Sequence, residues 1–399
     1  MFKQQFHRVW LWIIGSIFIM SCGALSTFVD TTAPTPQVIV VTATPEVAGD
    51  VEVELTNETL NETTNTEPVE ETGLQAQSKL IEVQSRGLLR CGVNADLPGF
   101  GFYDAVRNRW SGFDVDFCRV IAAAVLGDAS KVEFVAVTTA DGPNERFNAV
   151  RSGMVDVLIR NTTWTASRDG SGLAFGPTTF HDGQTFMVRK SLNIQTLNDL
   201  EGTRICAGEG TTSLLNLRDD FAARGIQFVL VETKGEEELY NRYRDGACDA
   251  VTSDSSQLAV ERIELPEPDD HIVLGDRISR EPLGPAVAER DDQWFDIVSW
   301  AIYATMYAEE LRIDNSNVDE YLIDSTDPRV RRLLGVEGTI GQQFGLPVDF
   351  GYQIIKQVGN YADIYNKNLG PNTVFAIDRG PNKAWNLGGG GVLASPPFR

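Results

Sequence analysis

The sequence predicts an α/β fold made of two lobes, and three observations carry that reading. From Lys79 onward short apolar runs alternate with helix-periodic segments, the pattern of sheets flanked by helices. The alternation then occurs a second time in the same order. Finally, RSGMVDVLIRN (151–161) and RDGACDAVTSD (244–254) run alike, from a helix end through an apolar strand bearing Asp to a polar exit. We read these two series as a pseudo-repeat of one lobe in the other.

In the first series LLRCGV (88–93) has the apolar run of a strand, and FDVDFCRVIAAAVLG (113–127) has helical spacing closed by Gly127. KVEFVAV (131–137) is a strand, NERFNAVRSG (144–153) a helix and VDVLI (155–159) a third strand. The second series begins near Leu192, with a turn in TLNDLEG (196–202) and a strand in TRICAG (203–208). A helix follows in TTSLLNLRDDFAARG (211–225), a strand in FVLVET (228–233), a helix in EEELYNRYRDG (236–246) and a strand in CDAVTSD (248–254). Beyond it, residues 283–311 read as strand, turn and long amphipathic helix, and DPRVRRLLG (327–335) as a further helix. The last sixty residues hold helices separated by Gly and Pro. The tail WNLGGGGVLASPPFR (385–399) reads as an ordered surface coil, its tetraglycine a flexible loop rather than a phosphate cradle.

The chain has 399 residues, enough for two or three domains, and an apolar content of 42% supplies a core. A net charge of -22 excludes a basic footprint for nucleic acid. Lys3, His7 and Arg8 precede an apolar run (9–20) that is short for a membrane span and ends in Ser21-Cys22. That junction resembles the lipobox of bacterial lipoproteins, in which the cysteine is acylated; a plain secretory signal or a short anchor helix are the alternatives. From Gly23 to Ser78 there is no Lys or Arg and there are ten Asp or Glu, with repeats such as TNETLNETTNTE (56–67). Such a composition offers too little apolar surface to offset chain entropy, so it is expected to be a disordered tether. The expected organisation is a signal peptide (1–21), a tether (22–78), a first lobe (79–190), a second lobe (191–283), and a return to the first lobe with a helical extension (284–399).

With Cys22 assigned to lipid, Cys91, Cys118, Cys206 and Cys248 remain. In an exported chain an even number points to disulfides, and three connectivities are open. Pairing Cys91 with Cys118 and Cys206 with Cys248 keeps each bridge within one folding unit; four buried thiols are the alternative. No CxxC spacing is present, and His181 and His271 stand alone, so neither a metal site nor a His-based triad is expected. GxSxG and GxxxxGK[ST] motifs are missing from the sequence. No cofactor is implied.

The polar segment RNTTWTASRD (160–169) leaves a strand end, where ligands gather in open α/β sheets. It is an ordinary loop, a catalytic loop, or a cradle for an anion such as a carboxylate. GEGTTS (208–213) carries part of a glycine fingerprint and opens a helix, whose free amides favour an anion; Thr211 or Thr212 also serves as an ordinary N-cap. Asp254 closes a strand of the second series. Arginine grips a carboxylate through paired charge-assisted hydrogen bonds and aspartate matches an ammonium, so Thr163 and Arg168, the helix start at Gly210-Thr211-Thr212, and Asp254 together suit an amino-acid zwitterion.

Seven segments carry a resemblance to a known family: CGVN (91–94), GFDVDFCRVIAAAV (112–125), ERFNAVRSGMVDVLIRNTTWTASRD (145–169), GPAVAERDDQWFDIVSWAIYA (284–304), GNYADIYNKNLGP (359–371), RGPNKAW (379–385) and PPFR (396–399). From about residue 80 to its end the chain resembles the solute-binding proteins of polar amino-acid ABC importers, and more narrowly their general L-amino-acid branch. The resemblance implies the type II periplasmic-binding fold: mixed sheets flanked by helices in two lobes, joined by two crossing strands. It implies a monomeric receptor that closes on one L-amino acid and delivers it to a permease with its ATPase, and that is no enzyme. By the same resemblance Thr163 and Arg168 grip the ligand carboxylate, the binding motif Gly210-Thr211-Thr212 adds the amide and hydroxyl of Thr212 to it, and Asp254 with the carbonyl of Asn161 holds the ammonium. Leu97 falls where many relatives carry an aromatic residue, implying a roomier pocket and broad specificity. The four cysteines also fall at family-like positions, in favour of the two local bridges. Two other functions are weighed: a receptor for a signalling partner, and an exported dehydratase on the same fold, for which Glu209 is a poor candidate acid.

Overall fold

The computed structural model describes residues 78–399. The signal peptide assigned to 1–21, Cys22 and the tether up to residue 77 lie outside the described residues. Two five-stranded mixed sheets form the two lobes. In the first, the strand order is Val132–Ala136, Leu89–Val93, Val157–Leu158, Ala286–Ala288 and Leu173–Phe175. The first three strands are parallel, and Ala286–Ala288 runs antiparallel to both of its neighbours. The second sheet repeats the scheme with Val229–Thr233, Arg204–Gly208, Ala250–Asp254, Gln184–Arg189 and His271–Val273. Again three strands are parallel, and Gln184–Arg189 is antiparallel to its neighbours. The pseudo-repeat read from RSGMVDVLIRN and RDGACDAVTSD is therefore a repeat of sheet position, since each contains the third parallel strand of its lobe.

Gln184–Arg189 moves the lobe boundary. The sequence reading ends the first lobe at residue 190, whereas this strand pairs with Ala250–Asp254, from Gln184 opposite Asp254 to Val188 opposite Ala250. Its partner lies some sixty residues downstream, so no local pattern reveals which sheet it joins. The connection between lobes is a two-stranded antiparallel ladder, Phe180–Asp182 against Glu281–Leu283. A three-stranded hairpin sheet, Asp96–Leu97, Gly101–Asp104 and Arg109–Ser111, was not anticipated either.

Each lobe buries its own core. In the first, the helix Phe113–Leu126 is apolar nearly all round and packs against the long helix Asp292–Glu310. The C-terminal helices Phe350–Gln357 and Tyr361–Asn368 join the same core. The tail belongs to it as well: Phe398 is 1% exposed, its ring 5.3 Å from that of Tyr307 and 5.1 Å from that of Trp300. Arg332 Nε donates to the Phe398 carbonyl at 2.8 Å and fixes that end of the chain. Arg379 clasps the buried Glu309 with two hydrogen bonds, at 2.7 and 2.9 Å, and so ties the RGPNKAW segment to the long helix. Disulfides join Cys91 to Cys118 and Cys206 to Cys248, each linking a strand to a neighbouring segment of its own lobe.

Candidate ligand-binding cleft

Val157–Leu158 ends in Arg160 and Asn161, and the chain turns sharply there. Asn161 has φ +25°, a conformation that asparagine tolerates better than most residues. Its amide donates to Asp114 Oδ2 at 2.9 Å. Burial raises the Asp114 carboxyl to about 7, against the opposing pull of that amide and of Arg160. Trp164 N then donates to Pro282 O at 2.9 Å, stitching the segment onto the crossing strand. Thr165 caps the short helix Ala166–Asp169 by accepting from Arg168 N at 3.3 Å. The Arg168 side chain folds back to donate to Thr163 O at 2.8 Å, with its guanidinium 5.2 Å from the centre of the Phe147 ring. These contacts aim Arg168 at the gap between the lobes.

The second lobe supplies the opposite wall. After strand Arg204–Gly208 the chain passes Gly210, whose φ of +69° and closeness to Thr139 O (3.3 Å from where a Cβ would sit) favour glycine. Thr211 caps the helix Thr212–Arg224, accepting from Leu214 N at 3.2 Å. The amides of the first helical turn, Thr212 and Ser213 among them, have no acceptor within the helix and mark its positive end. Thr211 is thus both cap and wall. Thr163 Oγ1 and Thr212 Oγ1 meet at 3.3 Å across the gap, and Thr212 Oγ1 also donates to Glu281 Oε2 at 3.2 Å.

Asp254 closes the strand Ala250–Asp254 and stands at the N-cap position of Ser255–Glu264, yet its side chain accepts no capping hydrogen bond. Its carboxylate is 6% exposed and lines the same cleft. Burial raises its pKa well above the usual carboxylate range, and the nearby carboxylates of Asp182 and Glu281 raise it further, against Arg168 and Arg146. Arg168 is partly buried; desolvation lowers its pKa, and Glu281 and Asp254 oppose that. The cleft therefore holds a cation and an acid facing one space.

Of the residues singled out in the sequence, Asn161, Thr163, Arg168, Thr211, Thr212 and Asp254 line one cavity, and Gly210, which precedes Thr211, is not among its lining residues. Leu97 does not. It is 0% exposed, pairs with Gly101 in the small hairpin sheet and packs into the first lobe's core. Its strand alternates, so Asp96 faces outward and Leu97 inward.

The cavity also holds residues that sequence reasoning passed over: Arg146, Arg160, Glu236 and Gln257. Glu236 reaches across the gap, pairing with Arg160 at 3.1 Å and accepting from Asn94 Nδ2 at 2.8 Å. Burial alone would raise its pKa, but Arg160, Asn94 and Arg146 together hold it below the usual value. The signal for them in the sequence is an arginine directly after the apolar run VDVLI (155–159). Among the described residues no group of three or more His, Cys, Asp or Glu could hold a metal ion, and no helix is long and apolar enough to cross a membrane.

Residues 89–320 match the family of bacterial extracellular solute-binding proteins, family 3. The chain is 46% identical over 323 residues to the general L-amino acid-binding periplasmic protein AapJ of Rhizobium johnstonii, covering 80% of this chain and 92% of that one. It is 42% identical to the glutamate/glutamine/aspartate/asparagine-binding protein BztA of Rhodobacter capsulatus, covering 82% of this chain and 95% of that one. Among solved structures, it is similar to an ABC transporter periplasmic binding protein from Brucella ovis with glutathione bound. That match has a TM-score of 0.77 and 42% identity, covering 81% of this chain and 99% of the other.

Proposed function

The chain belongs to the bacterial extracellular solute-binding proteins of family 3, and from that premise we propose that it captures L-amino acids outside the cytoplasm and hands them to an ABC permease and its ATPase. As a solute-binding protein it is a receptor and not an enzyme. The observation that carries the reading is the convergence of Arg168, Thr163 and Thr212 with Asp254 on one cavity between two lobes. In this reading the ligand carboxylate lies against the Arg168 guanidinium, the two threonine hydroxyls and the start of helix Thr212–Arg224. The ammonium lies against Asp254 and Asn161, whose Oδ1 is buried and has no hydrogen-bond donor. Both lobes then hold the same molecule, so ligand shifts the protein toward the closed state. General amino-acid recognition follows because these contacts address the backbone of the ligand, which all amino acids share.

Calorimetry on the full-length protein tests the site. Arg168→Ala is expected to weaken amino-acid binding by about 2–5 kcal/mol, because the ligand carboxylate loses its cation in a desolvated cleft. Parent-like affinity in that variant would remove Arg168 from the site.

We further propose that the protein acts as a monomer tethered through lipid on Cys22, the cysteine after the short apolar leader. Lipid chains add roughly 0.8 kcal/mol per buried methylene, so a multiply acylated cysteine holds firmly. Labelled palmitate is expected to enter the parent chain in cells and to be absent from Cys22→Ser; equal labelling of both would rule out that anchor.

A further inference from the structure

A second cavity, of about 440 Å³, lies on the first lobe and shares no lining residue with the cleft. Its volume falls in the range of small-molecule sites. Helix Asp292–Glu310 contributes Asp296, Ser299, Trp300 and Tyr303, whose spacings of three and four put them on one helix face. Trp164 joins them from the segment that carries Thr163 and Arg168. Thr163 lines the cleft, and the next side chain along the extended chain turns the other way. The Trp164 indole is 45% exposed and stacks on Phe175 at 6.4 Å between ring centres. Among the described residues no Lys or Arg lies over the rings of Trp164, Trp300 or Tyr303. Three aromatic rings thus line a space that the chain leaves without a cation of its own.

The polar groups of the lining agree with the rings. Asp296 is exposed, forms no salt bridge among the described residues, and is the one Asp, Glu, Lys or Arg that lines the cavity. Burial lowers the pKa of His181, also in the lining, and so favours its neutral form. Ser299 is 6% exposed and its Oγ has no hydrogen-bond partner, not even the carbonyl four residues back to which a helical serine can donate. A hydroxyl left in that state is costly, and a partner brought into the cavity relieves it. An acid, a free hydroxyl and aromatic faces with no competing cation are the features that hold an organic ammonium.

We propose that this cavity is a second binding site, for a primary ammonium carried on an aromatic or short apolar body, the chemistry of an arylalkylamine. The ammonium lies against Asp296 and the Ser299 hydroxyl, and the body lies against Trp164, Trp300 and Tyr303. The site goes beyond the reading of the cleft and does not depend on it. With no Lys or Arg in its lining it offers a carboxylate no cation, so a zwitterionic amino acid fits it poorly.

The test is calorimetry on the full-length protein with phenethylammonium and with 2-phenylethanol, which keeps the ring and loses the charge. The parent is expected to bind the ammonium saturably and about tenfold more tightly than the alcohol. Asp296→Asn and Trp164→Ala should each weaken the ammonium by about fivefold, the scale of one exposed charge pair or one ring. Asp254→Asn, in the cleft, should bind it as the parent does. Asp296 and Trp164 are both exposed, so their variants are expected to keep the fold, which thermal unfolding checks. A parent that shows no saturable binding, or equal affinity for amine and alcohol, overturns the proposal. So does parent-like affinity in both cavity variants; a loss confined to Asp254→Asn would place the amine in the cleft instead. Affinity that falls as the protein concentration is raised would put a second copy of the chain on this face, and overturns it too.

Discussion

Asp254 shows how much of the chemistry depends on a single side chain. Read in sequence it is an acid at a strand exit, equally suited to a turn or a cap. In the structure it caps nothing and is buried beside the carboxylates of Asp182 and Glu281, which together with burial favour its neutral form. In the proposed site an arriving ammonium would reverse that preference, because opposite charge stabilises the carboxylate. The sign follows. The free protein would then bind the proton more strongly than the complex does, so ligand binding expels a proton at pH between the carboxyl's pKa in the complex and its raised pKa in the free protein. Affinity then rises with pH by up to about tenfold per unit in that window and levels off above it. Titrations in two buffers of different ionisation enthalpy should reveal proton release in the parent and none in Asp254→Asn. Release unaffected by that substitution would assign the proton to another group.

At the scale of elements, the parallel strands and their helices were legible because their signals are local. Val132–Ala136, Phe113–Leu126 and Thr212–Arg224 each fall within a residue or two of the boundaries drawn from apolar spacing and terminal glycines. Thr163, Arg168 and Asp254 were legible as polar groups at strand exits. Arg146 and Glu236 were not, since the contact of Glu236 with Arg160 joins residues 76 positions apart and leaves no periodic trace. Leu97 was misplaced for a related reason: a two-residue strand gives no pattern long enough to say which face is buried. The tail is the element whose importance the sequence understated. Phe398 fills a space between Trp300, Tyr307 and Phe350. Phe398→Ala is expected to destabilise the protein by about 3–5 kcal/mol in urea unfolding, the cost of emptying an aromatic site in a packed core. A loss below about 1 kcal/mol would show that the tail is a covering and not a part of the core.

The whole molecule is a pair of lobes assembled from unequal portions of chain. The second sheet draws on one continuous stretch, from Gln184 to Val273, whereas the first needs Leu89–Phe175 and then Ala286–Ala288. Its core also takes in Phe398, far along the chain from the first strand. A chain threaded across a membrane N-terminus first thus delivers the beginning of its larger lobe long before the residues that complete it. The smaller lobe, with Cys206 and Cys248 both inside its own stretch, has everything it needs while the larger one still waits. Loss of Phe398 is therefore expected to leave the smaller lobe with its bridge intact and the larger one with a gap in its packing.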